Sequence, residues 1–442
     1  MEIQNTSLSP VEILERITAL DIMRWFVLCG ILLININSFG LAHAYGDPTI
    51  SGGSTGWNLY TWIATNMFFE GTMRCIFSLL FGVGMFILLD RMDKRHAGIK
   101  GADIYFRRLT WLLLFGVLHA YILIWSGEIL FNYALIGFLV YSFRRQAPKT
   151  LVIIALVLFS IGSFWNFMKY RGKVEMLVKV EQAKVMKAEG KELDREFKGA
   201  TEAWEKVQEN RSPEIINAFY EGLRKGYFGV VAFNALEVFK WKTYGTYRYD
   251  VWDVLSMMLL GIALFKWNIL SGDKPALFYL TLVAVGYAIG LTVNYFETTN
   301  IINQNFSYIS FYETNATYDL GRVAVSMGHI GMIMLFSKLN VLHWLKYTIS
   351  CIGKMALTNY LTHSLICMIV FTGVGFGMFG KLQLYELLYV VFSIWLFQLI
   401  ISPIWLKYFH HGPAEWLWRR MSYLQKPPFK KSKAVENNVV EA

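Results

Sequence analysis

Three residues raise the question of chemistry: Arg74, His119 and Glu128. They fall within or at the ends of apolar runs, EGTMRCIFSLLFGVG and RRLTWLLLFGVLHAYILIWSGEILFNYA. An ionisable group in hydrocarbon is costly, so each marks a candidate site. A neutral histidine can take a proton from a hydroxyl or an amine, and a carboxylate can orient and charge-stabilise it. An arginine can hold a phosphate or carboxylate through two parallel hydrogen bonds. Each residue also has a structural alternative. Arg74 could pair with Glu70 one turn away. His119 could be an interhelical hydrogen-bonder, and Glu128 could cap the helix that follows it.

A second set is less specific. Asn35 lies near the end of the first apolar run and His43 in the loop after it. Asn359, Tyr360 and His363 share a later run, with Asn359 and His363 on one helical face at i,i+4. These five are candidates for binding a substrate. Asp21 and Arg24, and the pair Arg107 and Arg108, stand at polar ends of apolar runs, where they could meet the phosphates of a donor. Asp319 and Arg322 read as a helix cap and a snorkelling pair, and His329 as a packed histidine.

The elements that position these residues are membrane helices. Of the 442 residues, 55% are hydrophobic, 16% aromatic and only 17% charged; the mean hydropathy is +0.39. Soluble domains carry about 25% charged residues. A bilayer core of about 30 Å needs roughly 20 apolar residues per helix. About ten such runs occur, near 22–41, 71–90, 109–126, 129–143, 150–168, 251–266, 276–295, 319–338, 352–374 and 384–406. Residues 57–70 are amphipathic and read as an interfacial or re-entrant helix.

The predicted class is all-α, a polytopic integral membrane protein with about ten transmembrane helices and both termini cytoplasmic. Lys and Arg crowd alternate loops and the C-terminal tail, whereas residues 42–56 and 296–317 have neither. The positive-inside rule explains that alternation and the net charge of +10, so nucleic acid is not an expected partner. The first 20 residues are polar and lack the apolar region of a cleavable signal. Four organising units follow: a first bundle at 1–168, a charged helical insert with an interfacial segment at 169–249, a second bundle at 250–410, and a basic tail at 411–442. The four cysteines sit in apolar runs without metal-type spacing, so neither a disulfide nor a metal site is expected. Gly82 and Gly84 of FGVG lie within a helix, where close helix packing is their expected role.

At these residues the chain resembles the YeiB family of bacterial membrane proteins, which carries a C-terminal domain of unknown function. The carrying blocks are RITALDIMRWFVLCGILLININSF, the two runs quoted above, GKMALTNYLTHSLI, FGKL and HHGPAEWLWRRMSY. Trp25 stands where the family usually has glycine, Glu128 where it often has aspartate, and His363 where it more often has glutamine. The family is grouped with transmembrane acyltransferases of the heparan-alpha-glucosaminide N-acetyltransferase and acyltransferase-3 types. The resemblance implies transfer of an acyl group from cytoplasmic acyl-CoA, as a co-substrate rather than a permanently bound cofactor, to a glycan or lipid-linked acceptor at the outer face. It also implies a bacterial inner membrane and a catalytic histidine. His119 matches the YeiB-like motif, and His43 is its rival, because the related N-acetyltransferases place their histidine in the first outer loop. Expected partners are membrane lipids, the acceptor, and a second copy of the chain in a homodimer. The alternative reading is a transporter or lipid flippase whose pathway the same polar residues line. A third is a structural or regulatory membrane protein whose buried polar groups pair among themselves.

Overall fold

The computed structural model describes residues 18–43 and 47–431; the signal-peptide reading and the end of the basic tail fall outside the described residues. The chain is all-α and multi-pass. Its helices are α1 (Thr18–Gly40), α2 (Gly56–Phe68), α3 (Thr72–Lys94), α4 (Gly98–Ile122), α5 (Leu130–Phe143), α6 (Pro148–Ala188), α7 (Arg195–Glu209), α8 (Pro213–Leu223) and α9 (Tyr227–Lys240). A π-helical segment, Trp241–Asp250, leads into α10 (Val251–Lys266). Then come α11 (Ala276–Asn303), α12 (Tyr308–Thr314), α13 (Tyr318–Lys338), α14 (His343–Lys354), α15 (Ala356–Phe371), α16 (Leu387–Tyr408) and α17 (Pro413–Tyr423).

Among the described residues, six helical stretches are long and apolar enough to cross a bilayer: α1, α2 with α3, α6, α11, α13 and α16. The apolar helices α5 and α15 are shorter. The remaining expected runs lie in α4 and α10. Burial separates centre from periphery. In α1 and in α2–α3, 61% of the apolar window is buried in protein, against 11% in α6 and 17% in α11. The outward faces of α6 and α11 are therefore the ones left for lipid.

Small residues set the closest contacts, as expected where helices gain little from hydrophobicity alone. A Cβ on Gly82 of α3 would strike the backbone at Met258 of α10, and one on Gly261 of α10 would strike the backbone at Leu79 of α3. Gly286 and Gly290 of α11 meet α13 in the same way. Gly84 is different: a Cβ there would meet nothing.

Two boundaries drawn from composition move. The division at 168 falls inside α6, which continues unbroken for 41 residues. At 1.5 Å per residue it is about 60 Å long, twice the hydrocarbon thickness. A helix need not break where its surroundings change from lipid to water; only its surface composition changes. The second boundary concerns the basic tail, whose first part is the docked helix α17. The Trp418 indole donates to Arg108 O at 2.9 Å, and Glu415 accepts from the Thr358 N–H at 3.0 Å and its hydroxyl at 2.5 Å. This ties α17 to α4 and to the first turn of α15. We call the end of the bundle that holds Asp21, Arg108, Lys354 and α17 the basic end, and the end under α7–α9 the insert end.

Candidate functional site

His119 lies on α4 and is 1% exposed. Gly116, one turn earlier, lets the start of α5 lie against α4, because a Cβ there would collide with the Phe131 backbone. Between the two helices the chain turns sharply at Ile124, whose φ is +56°. A β-branched residue in the left-handed region costs about 1–2 kcal/mol and persists only where its surroundings hold it. Here Trp125 stacks on Phe39 of α1 with ring centroids 3.8 Å apart. His119 Nε2 is 2.7 Å from Ser364 Oγ of α15, and its ring packs edge-on against Tyr360, with centroids 5.0 Å apart. His119 Nδ1 is buried without a hydrogen-bond partner. The Tyr360 hydroxyl points toward Trp125 and Ile129 without closing a hydrogen bond of good geometry.

Glu128 and Arg74 do not join this imidazole. The Glu128 side chain is fully buried; it accepts from the N–H groups of Leu130 and Phe131, capping α5, and pairs with Lys242 Nζ at 3.0 Å. Lys242 also donates to the Glu128 carbonyl. Thr246 Oγ1 donates to Asn132 at 2.9 Å, and Tyr227 OH to Ile122 O at 3.0 Å. Residues 226–249, expected to rest at the interface, thus strap α9 and the π-helical segment over the α4–α5 turn.

The Glu70–Arg74 pairing gives way to a tertiary one. The Arg74 guanidinium lies 2.9 Å from Asp253 and 3.8 Å from Asp250, while Glu70 accepts from Tyr318 OH at 3.2 Å. Arg322 bridges Asp253 and Asp319, each at 2.5 Å. Its side chain is only 3% exposed, so it is buried rather than snorkelling. A charge cannot reach water from there, and the two carboxylates take the place of solvent. His329 hydrogen-bonds Tyr287 OH at 2.7 Å and Phe68 O at 2.9 Å.

A cavity of about 240 Å³ opens at the basic end between α1, α3, α4, α15 and α17. Arg24, Arg108, Lys354 and Arg419 stand at its polar part, with Trp418 and Glu415. Arg24 and Arg108 are close enough to repel one another. The Arg108 guanidinium lies 3.6 Å over the Trp418 ring. Farther in, the walls are apolar, from Leu88 to Phe77 on α3 and Leu109 to Leu112 on α4. Leu130 and Tyr360 line the cavity too, and Tyr360 is the residue against which His119 packs. Gly84 faces this space, which is why a Cβ there meets nothing.

The other candidates separate. Arg24 and Arg108 line the cavity; Asp21 pairs with Arg24 at 2.5 Å, and Arg107 pairs with Asp103 on its own helix. The Asn359 amide donates to Ile352 O at 3.1 Å and Ser402 Oγ at 3.3 Å, tying the α14–α15 junction to α16. His363 is buried toward Gln398. Asn35 is half-buried on α1. His43 is exposed at the insert end, 5.2 Å from the Phe219 ring. Partial loss of solvent to its neighbours still lowers its pKa from the ordinary histidine value, which Glu237 partly opposes. Sequence reasoning passed over Ser364, Lys242, Lys354 and Asp253. Ser364 follows His363 within the quoted LTHSLI block, so its position was in view. The serine hydroxyl itself carried no signal.

The family described as "Protein of unknown function (DUF418)" matches residues 264–425. "Uncharacterized protein YxaH" of Bacillus subtilis (strain 168) is 30% identical, over 97% of this chain and 100% of that protein. "Uncharacterized protein YeiB" of Escherichia coli (strain K12) is 30% identical, over 92% of this chain and 97% of that protein. A 39.9 kDa protein of Bacillus acidopullulyticus is 25% identical over 95% of this chain and 98% of its own. No solved structure matches. With full-length similarity to both named relatives and the DUF418 match in its C-terminal part, the chain belongs to the YeiB family of bacterial membrane proteins.

Proposed function

We propose that the protein is an integral membrane acyltransferase. It takes an acyl group from acyl-CoA at the basic end and delivers it to a glycan or lipid-linked acceptor at the insert end. On the ten-span arrangement with both termini cytoplasmic, in a bacterial inner membrane, the basic end is the cytoplasmic one. The observation that carries this reading is the cavity itself: four cations at its mouth, apolar walls, and Tyr360 against His119 at its inner end. Phosphates suit the guanidinium groups, which offer paired donors. The walls suit an apolar arm that brings a thioester inward. Lys354 forms no ion pair among the described residues, which leaves it for a ligand. His119 is the proton carrier of this reading, while Glu128 and Lys242 close the α4–α5 turn above it.

The test is release of free thiol from acetyl-CoA by the purified protein in lipid vesicles. Wild type is expected to release thiol in saturable fashion, and His119→Ala to do so about 10²–10⁴-fold more slowly. Equal rates would remove His119 from the reaction. The transporter reading has one specific observation in its favour, the interruption at Met355 between α14 and α15, since broken helices mark transport sites. It requires acetyl-CoA-independent movement of a solute across the vesicle.

A further inference from the structure

The Ser364 hydroxyl, like that of Thr358, which donates to Glu415, leaves its own helix, whereas the hydroxyls of Thr362 on α15 and of Thr372 just after it do not. Thr362 donates to Thr358 O at 2.8 Å and Thr372 to Met368 O at 2.7 Å. Such back-bonds are the usual resting place of a hydroxyl in an apolar helix. Ser364 makes none; its hydrogen bond crosses to α4 and ends on His119 Nε2 at 2.7 Å. A hydroxyl has one proton, and no carbonyl takes it here, so the imidazole nitrogen is its acceptor. With the hydroxyl as the donor, the imidazole proton sits on Nδ1, the nitrogen that has no partner.

A hydroxyl donating to a histidine nitrogen is the arrangement of an activated nucleophile. Its position fits as well. Leu357, Tyr360 and Ser364 follow one another at i, i+3 and i+7, a single stripe along α15. Leu357 and Tyr360 line the cavity, and Ser364 stands one turn beyond Tyr360. Ser364 is itself only 1% exposed.

We propose that Ser364 is a second catalytic residue, the nucleophile that receives the acyl group from the donor, with His119 as its base. The inference rests on the acyl-transfer reading above. In the first step Ser364 Oγ attacks the thioester carbonyl carbon and its proton passes to His119 Nε2. The carbon–sulfur bond breaks, and the departing thiolate takes that proton and leaves as the free thiol. In the second step an acceptor hydroxyl or amine gives its proton to Nε2 and attacks the serine ester. The bond from the acyl carbon to Oγ breaks, and the proton returns to Oγ. No other reactant is consumed. The ester lets one histidine serve a donor and an acceptor that arrive from opposite ends.

The experiment incubates the full-length protein in detergent with radiolabelled acetyl-CoA and no acceptor, then quenches, digests and locates the label by mass spectrometry. The expected result is one acetyl group on Ser364, released by hydroxylamine, with a burst of free thiol that matches the protein concentration. Ser364→Ala should lose both. Ser364→Cys should carry the label as a thioester, which keeps the test open if the alanine variant does not fold. His119→Ala should label Ser364 about 100-fold more slowly or worse. A folded Ser364→Ala protein that transfers acetyl at the wild-type rate, or label on His119, overturns the proposal while leaving the acyltransferase reading standing. Wild-type protein that neither binds acetyl-CoA nor releases thiol overturns both.

Discussion

Two regions of the bundle hold polar side chains away from water, and they treat them in opposite ways. In the cluster of α3, α10 and α13, charges meet charges: Arg74 with Asp253, and Arg322 with Asp253 and Asp319, with Arg322 Nη1 the one buried nitrogen there without a hydrogen bond among the described residues. Around His119, neutral polar groups meet few partners. His119 Nδ1, His363 Nε2, the Tyr360 hydroxyl and the Trp125 indole nitrogen are all buried without a well-formed hydrogen bond. Unsatisfied buried polar groups are rare and ask for an explanation. The second region adjoins a cavity.

The comparison breaks if the regions respond alike to substitution. The largest expected effect is His119→Ala, which should lower acyl transfer by about 10²–10⁴-fold per folded molecule, read from thiol release. Arg322→Met is the reverse case. It leaves two carboxylates without their shared cation, and loss of one partner of a buried pair costs about 3–5 kcal/mol. Thermal unfolding should report that loss, and the fraction still folded should keep its rate per molecule. Arg108→Ala with Lys354→Ala should weaken acetyl-CoA binding about 10²–10⁴-fold by titration, since each of the two lost hydrogen bonds to a charged group is worth about 1.5–3 kcal/mol.

The smallest effect concerns Glu415. Burial raises its carboxyl above the ordinary range, against the hydrogen bonds from Thr358 that lower it. A raised folded-state value means the group favours folding below its ordinary value and loses that contribution as pH rises through the raised one. Glu415→Gln should remove that loss, so the variant's stability should decline less than wild type's between mildly acidic and neutral pH in denaturant titrations. A decline equal to that of wild type would place the titrating group elsewhere.

Membrane class and helical fold were legible in the sequence, because hydropathy, charge spacing and helix period are local. Partners were not. Arg74 reads as a partner for Glu70 because the two are a turn apart, yet the stronger match, Asp253, comes from a distant helix that packing brings alongside. Glu128 reads as a partner for His119 or as a cap for the helix after it; the cap is what forms, and the carboxylate also meets Lys242 from the insert, whose path no local pattern describes. Gly82 and Gly84 look alike in FGVG; only the packed bundle shows that one touches a backbone and the other an open space. Ser364 was hidden for a related reason. A hydroxyl in an apolar helix normally bonds its own backbone, and its turn toward α4 is a tertiary fact.

That pair of glycines supplies the most direct test of the central claim, that the cavity receives the donor. Gly84→Phe places a ring in open space, whereas bulk at Gly82 would collide with α10 and cost about 1–3 kcal/mol through overpacking. The measurement is equilibrium binding of acetyl-CoA to purified wild-type and Gly84→Phe protein, with melting temperatures taken alongside. The account expects saturable binding to wild type, and a Gly84→Phe protein that melts at the same temperature and no longer binds. A filled cavity that binds acetyl-CoA as well as the open one would contradict it.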